Sequence, residues 1–124
     1  MNFLRLIKSF KEAIQGVAYV FKHEQNFRIQ VVISLLVLIF VWFFELSKAE
    51  MIVIFLLIIL VLILELLNSA VEKLSDVLKP RLSLQIGVVK DIMAGMVFLS
   101  SLGAVVIGLI IFWPHLFEFI ERIW

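Results

Sequence analysis

The sequence predicts an all-α integral membrane protein, in which an N-terminal amphipathic surface helix is followed by three transmembrane helices in an oligomeric bundle. Three observations predict it. Hydrophobic residues make up 64% of the 124 positions and mean hydropathy is +1.17, more apolar surface than a soluble chain of this length can hide. Three long stretches carry no charge. Finally, one helical segment places Glu65, Asn68, Ser69, Glu72 and Asp76 within about 100° of arc, a polar face that three spans alone cannot satisfy and that therefore asks for a neighbouring subunit. The chain reads as one domain over residues 1–124. It has no cysteine, which excludes disulfides and Cys-ligated metals. No segment has the pattern of a transit peptide or a cleavable signal peptide.

Residues 2–22 form the amphipathic helix. Phe3, Leu6, Ile7, Phe10, Ile14, Val17 and Phe21 fall within about 100° of arc, with Arg5, Lys8, Lys11, Glu12, Gln15 and Lys22 opposite. That is the pattern of a helix lying in the membrane interface, although a core helix of a bundle has a similar stripe. A polar hinge from Lys22 to Arg28 follows. The first span is residues 29–46, of which Ile29–Phe44 are uncharged and about 24 Å long as a helix. Trp42 and Phe43 near its end suit an aromatic belt. A short turn, Glu45–Glu50, leads to the second segment, residues 51–78. Its uncharged part, Met51–Leu64, is too short to span by itself, since a spanning helix needs ~20 apolar residues. Glu65 and Asn68 then lie at or just inside the hydrocarbon boundary, where ionisable residues are costly and usually functional. Pro80 ends this helix or closely follows its end. Residues 79–91 read as the one real loop. The third span is residues 91–113, stopped by Pro114, with a small-residue ridge at Ser100, Ala104 and Gly108 that reads as packing.

Lys and Arg set the orientation. Arg5, Lys8, Lys11, Lys22, Arg28, Lys73, Lys79, Arg81 and Lys90 fall on one side; Lys48 and Arg122 fall on the other. The positive-inside rule puts the N-terminus in the cytoplasm and the C-terminus outside.

With that orientation Glu24 and Asn26, the Glu65–Asp76 face and Lys90-Asp91 converge in one layer at the cytoplasmic edge. Several carboxylates and a lysine suit a metal–phosphate site. Magnesium takes carboxylate and phosphate oxygens together, and lysine is a point-charge phosphate ligand. A carboxylate at the membrane border can accept a hydroxyl proton. The same residues also fit a solvated polar collar, and spacing leaves the two readings even. Glu72 and Asp76, at i and i+4, repel unless a cation or a neighbouring Lys or Arg lies between them. Lys73 reads as decoration of that face, and His23 and His115 read as headgroup-level side chains. Phosphate-loop, protein-kinase, zinc and Gly-x-Ser-x-Gly motifs are absent, and no basic stripe with interleaved aromatics points to nucleic acid.

The run Glu65-Leu-Leu-Asn68-Ser69-Ala70-Val-Glu72-Lys73 resembles the signature of the small bacterial diacylglycerol kinase and undecaprenol kinase family. The amphipathic start with Arg5 and Gly16, the hinge Glu24-Gln-Asn26-Phe27-Arg28, and Lys90-Asp91 with Ala94-Gly95 agree in order and spacing. The resemblance covers nearly the whole chain. It implies a homotrimer in the bacterial plasma membrane. It also implies ATP and Mg²⁺, and transfer of the γ-phosphoryl group to a lipid alcohol, giving phosphatidic acid from diacylglycerol or undecaprenyl phosphate from undecaprenol. By position, Glu65 is the general base and Asn68 positions groups beside it. Glu24 and Glu72 hold the metal, and they join Arg5, Lys90 and Asp91 around the nucleotide, with Glu12 beside Arg5. The chain departs from the family pattern at 79–89, which lacks a His-Pro segment, and at Ala13 and Ala94, where some members carry a hydroxyl. The hinge is closer to the undecaprenol kinase branch. Two other classes compete: a small proton-coupled transporter, whose relay carboxylate belongs nearer the midplane, and a non-enzymatic membrane scaffold.

Overall fold

In a computed structural model the chain is entirely helical over the described residues, 2–78 and 83–124, the side chain of Ser83 excepted. Four helices follow in order: α1 (Phe3–His23), α2 (Gln25–Phe43), α3 (Lys48–Leu78) and α4 (Ser83–Ile123). The last three are each long and apolar enough to cross a membrane.

The break between α1 and α2 is a single residue. Glu24 adopts extended geometry (φ −111°, ψ 111°), closing α1 and opening α2. Arg28 fixes this bend: its Nη1 donates to the carbonyls of Phe21 (2.9 Å) and Lys22 (2.7 Å), two of the free carbonyls at the α1 C-terminus. Phe27, only 3% exposed, anchors the other side of the hinge.

The turn between α2 and α3 is closed by a capping box. The Ser47 hydroxyl accepts from the Glu50 N–H (3.2 Å), and the Glu50 carboxylate accepts from the Ser47 N–H (3.0 Å). Val41, Leu46 and Ile54 form the apolar core at this end, with Phe44, Met51, Ile111 and Phe112 packed on them.

Two antiparallel registers order the bundle. Val41 packs with Ile54 and Gln30 hydrogen-bonds Glu65, so α2 and α3 residues at one level sum to 95. Glu50 meets His115 and Ile54 meets Ile111, so α3 and α4 residues at one level sum to 165. The end holding Glu24 is called the hinge end, and that holding residues 44–47 the turn end.

α4 differs from the sequence reading at both of its ends. Residues 84–91 are helical rather than loop, because Ile86 and Met93, both buried, lie seven residues apart on one helical face. Ser83, Gln85 and Gly87 look like loop formers but are carried by that stripe. Lys79, Pro80, Arg81 and Leu82 lie outside the described residues. Pro114 does not stop the helix, which continues to Ile123. The ring's fixed φ is helical, but it removes one backbone hydrogen bond and crowds the carbonyl of Ile110, so the continuation depends on packing on either side. Phe112 on one side of Pro114 and Phe119 on the other both pack against Phe44, which holds the two halves in line. The small-residue ridge also has another role. A Cβ added at Gly108 would meet nothing within 4 Å, so its smallness opens a groove instead of allowing close helix contact.

Candidate active site

The polar face of α3 points inward. Glu65 is 2% exposed, Ser69 4% and Ser75 4%, while Asn68 and Glu72 are half-buried and Asp76 is exposed. An ionisable side chain this enclosed needs a hydrogen-bonding partner. Glu65 has one in Gln30, whose Nε2 donates to Oε2 at 3.1 Å. Glu24 and Glu72 are both near enough to act on Glu65 electrostatically.

The registers place the remaining groups. Glu24 is level with Val71, one residue along α3 from Glu72. Lys90 and Asp91 are level with Ser75 and Leu74, within about a turn of Glu72. Glu65 lies about 10 Å further along the bundle from Glu72, and about 15 Å from the Lys90 level. By level, Glu24, Glu72, Lys90 and Asp91 form an outer tier, and Glu65 lies below them.

Glu24 makes no side-chain cap hydrogen bond, so its carboxylate is free for other work. It lines a cleft of about 380 Å³ between α1 and α3 with Gly16, Tyr19, Ser69, Ala70 and Lys73. Lys73 is exposed, its Nζ 5.1 Å from the centre of the Tyr19 ring, a cation–π contact. His23 stacks on the same Tyr19 ring, and its Nδ1 lies 2.8 Å from the Tyr19 carbonyl. His115 is not merely a headgroup-level side chain: it pairs with Glu50 at 3.0 Å.

Arg5 and Glu12 are exposed, and among the described residues neither forms an ion pair. They precede Glu24 by about 28 Å and 18 Å along α1, and Ala13, next to Glu12, lines the cleft against α3. Among the described residues, no three His, Cys, Asp or Glu side chains gather as a metal cage. A pair such as Glu24 and Glu72 still suits magnesium, which commonly takes one or two carboxylates and fills its remaining positions with water and substrate phosphates.

Sequence reasoning missed Gln30. Its signal was available: it is the first amide inside an uncharged stretch otherwise broken only by Ser34. From Gln30 an apolar groove of about 340 Å³ runs between α2, α3 and α4 toward the turn end, lined by Val37, Ile58, Ala104 and Gly108 among others.

A helical protein with three helices able to span a membrane, and a buried carboxylate between an apolar groove and an outer acidic tier, has the parts of an enzyme acting on an amphipathic substrate. Residues 11–112 match the prokaryotic diacylglycerol kinase family, and the chain belongs to it. It is 37% identical over 112 residues to the undecaprenol kinase of Bacillus subtilis (strain 168), covering 90% of this chain and 91% of that protein. It is 33% identical over 104 residues to the diacylglycerol kinase of a Synechocystis species, covering 83% of this chain and 59% of that longer protein. Family and relatives indicate a lipid kinase, and favour neither transporter nor scaffold.

Proposed function

We propose that this chain transfers the γ-phosphoryl group of ATP to the hydroxyl of a membrane lipid alcohol at the cytoplasmic edge of the bilayer. The observation that carries the reading is Glu65: a carboxylate 2% exposed, hydrogen-bonded at the head of an apolar groove, with the outer acidic tier above it. The lipid oxygen attacks the γ-phosphorus, the bond to the β–γ bridging oxygen breaks, ADP leaves, and Glu65 takes the hydroxyl proton. Asn68, one turn from Glu65, helps position the reacting groups. Glu24 and Glu72 hold Mg²⁺, which neutralises phosphate charge when bound. Lys90 and Asp91 contact the nucleotide. Undecaprenol is the favoured acceptor, because the relative named for it matches along nearly all of both chains. The test is to incubate purified protein with labelled ATP, Mg²⁺ and a panel of lipid alcohols; no labelled lipid from any of them would overturn the reading.

The hinge end faces the cytoplasm and α1 lies in the interface, its exposed Phe3, Ile7, Phe10 and Ile14 toward lipid. Cysteines at Ser47 and Val77, probed on intact cells with an impermeant thiol reagent, should label at 47 and not at 77. The reverse pattern would invert the topology.

The active unit is a homotrimer with sites shared between subunits. Arg5 and Glu12, exposed and without an ion pair among the described residues, then serve a neighbour. Mixed Arg5→Ala and Glu65→Ala subunits should recover part of the wild-type rate. No recovery at any ratio would place each site within one chain.

A further inference from the structure

Gln30 is the one residue common to the buried carboxylate and the apolar groove. Its Nε2 donates to Glu65 Oε2 at 3.1 Å, joining helices at residues 35 apart in sequence. Its carbonyl, Oε1, is buried and accepts no hydrogen bond from the described residues. Such an amide is a poor choice for stability alone. Leaving a buried acceptor unmatched offsets much of what the bond to the carboxylate contributes, and an aliphatic side chain would avoid the problem. The neighbours of Gln30 in the groove are Ile33, Ser34 and Val61, so the surroundings do not otherwise call for an amide.

We propose that Gln30 is the positioning residue for Glu65 in the lipid-kinase reaction; this rests on the reading of Glu65 as the base. The amide N–H engages Oε2 and holds the carboxylate rotamer, so that Oε1 is the oxygen that receives the hydroxyl proton. The hydroxyl arrives on the end of the apolar chain of the lipid alcohol, which lies in the groove that Gln30 heads. The groove is continuous with the proposed site through Gln30 itself, which sets the hydroxyl of a chain lying in it against Glu65. Gln30 itself neither takes nor gives a proton.

Two variants test this, Gln30→Leu and Gln30→His, each compared with wild type for kcat, for KM of MgATP, and for thermal midpoint in detergent. Gln30→Leu removes the N–H and should lower kcat about tenfold or more, with KM for MgATP within about twofold and the midpoint unchanged. Gln30→His restores a ring N–H and should regain at least half of that loss on a logarithmic scale. An unaltered kcat in Gln30→Leu overturns the assignment, as does a loss confined to KM for MgATP. Equal inactivity of two well-folded variants overturns it also. Should Gln30→Leu fail to fold, Gln30→His decides alone: near-normal turnover supports the assignment, and inactivity in a folded protein sinks it. A wild type that phosphorylates no lipid alcohol overturns the kinase reading and this assignment with it. A normal wild type beside an unaffected Gln30→Leu overturns this assignment only.

Discussion

The two ends of the bundle are built on opposite terms. At the turn end the half-buried polar groups Glu50 and His115 are matched to one another. Glu50 accepts from the Ser47 N–H and from His115, and the core around it is Val41, Leu46 and Ile54. Phe43, Phe44 and Phe119 pack edge-to-face beside that core. At the hinge end, buried positions include Glu65, Ser69 and Ser75, Gln30 keeps an unmatched carbonyl, and two further carboxylates bear on Glu65. Like charges and unmet acceptors weaken a fold. The buried interior of the turn end is wholly apolar, whereas at the hinge end Phe27, Ile86 and Met93 are packed among buried polar groups that a ligand could use. The difference teaches that apolar packing holds both ends, and that only the hinge end mixes it with groups suited to chemistry.

The largest expected effect breaks the hinge end. Glu65→Gln should lower turnover by ~100-fold or more, ~2.7 kcal/mol of barrier, because the amide cannot accept the hydroxyl proton. MgATP should still bind and the thermal midpoint should not fall, since a buried charge has been removed. Glu72→Gln separates the tiers: it should weaken MgATP by ~10-fold, while ATP in the presence of a chelator binds as before. Turnover within a few-fold of normal in Glu65→Gln, together with unchanged MgATP affinity in Glu72→Gln, would end the division of roles between the tiers.

The complementary break is at the turn end. Ile54 is 3% exposed within the apolar core, and Ile54→Ala should cost about 2–4 kcal/mol. It is read as a lower thermal midpoint in detergent with kcat per folded molecule preserved. A loss of kcat without a loss of stability would show that the two ends are not independent.

Much of this contrast was legible in the sequence. Charge-free runs announce three helices that could span, and the Glu65–Asp76 face marks the second of them as the one that carries buried polar side chains, Glu65 and Ser69 among them. Four things were not legible, each for a physical reason. Proline at 114 reads as a stop, but aromatic packing before and after it offsets the lost hydrogen bond and the crowding of the preceding turn, and the helix continues. Ser83, Gln85 and Gly87 read as loop, but the long-range burial of Ile86 and Met93 decides the matter, and local propensity carries no information about that. Gln30 was counted as merely uncharged, because its meaning depends on Glu65, and the register that joins them is a property of the fold. Arg28 was similar: the resemblance marked the hinge, while its role in capping α1 emerges only when the chain bends.

The smallest expected effect sharpens the comparison most. His115 and Glu50 are the one ion pair among the described residues, and they sit at the turn end. Their side chains are 23% and 30% exposed, so water screens the pair, and pairs of this kind are worth about 0–1 kcal/mol. Glu50→Gln keeps an oxygen that can accept from the Ser47 N–H and so keeps most of the capping box; only the ionic part of the contact with His115 is lost. The midpoint should fall by no more than a few degrees, with kcat and MgATP affinity unaltered. Glu65→Gln is the same chemical change, a carboxylate to an amide on the same helix about 22 Å away along its axis. One substitution should then give two opposite signatures: stability slightly reduced with activity intact at residue 50, and activity abolished with stability intact at residue 65. If Glu50→Gln lowered turnover at unchanged stability, the turn end would be taking part in the reaction, and the separation of roles along α3 would have to be abandoned.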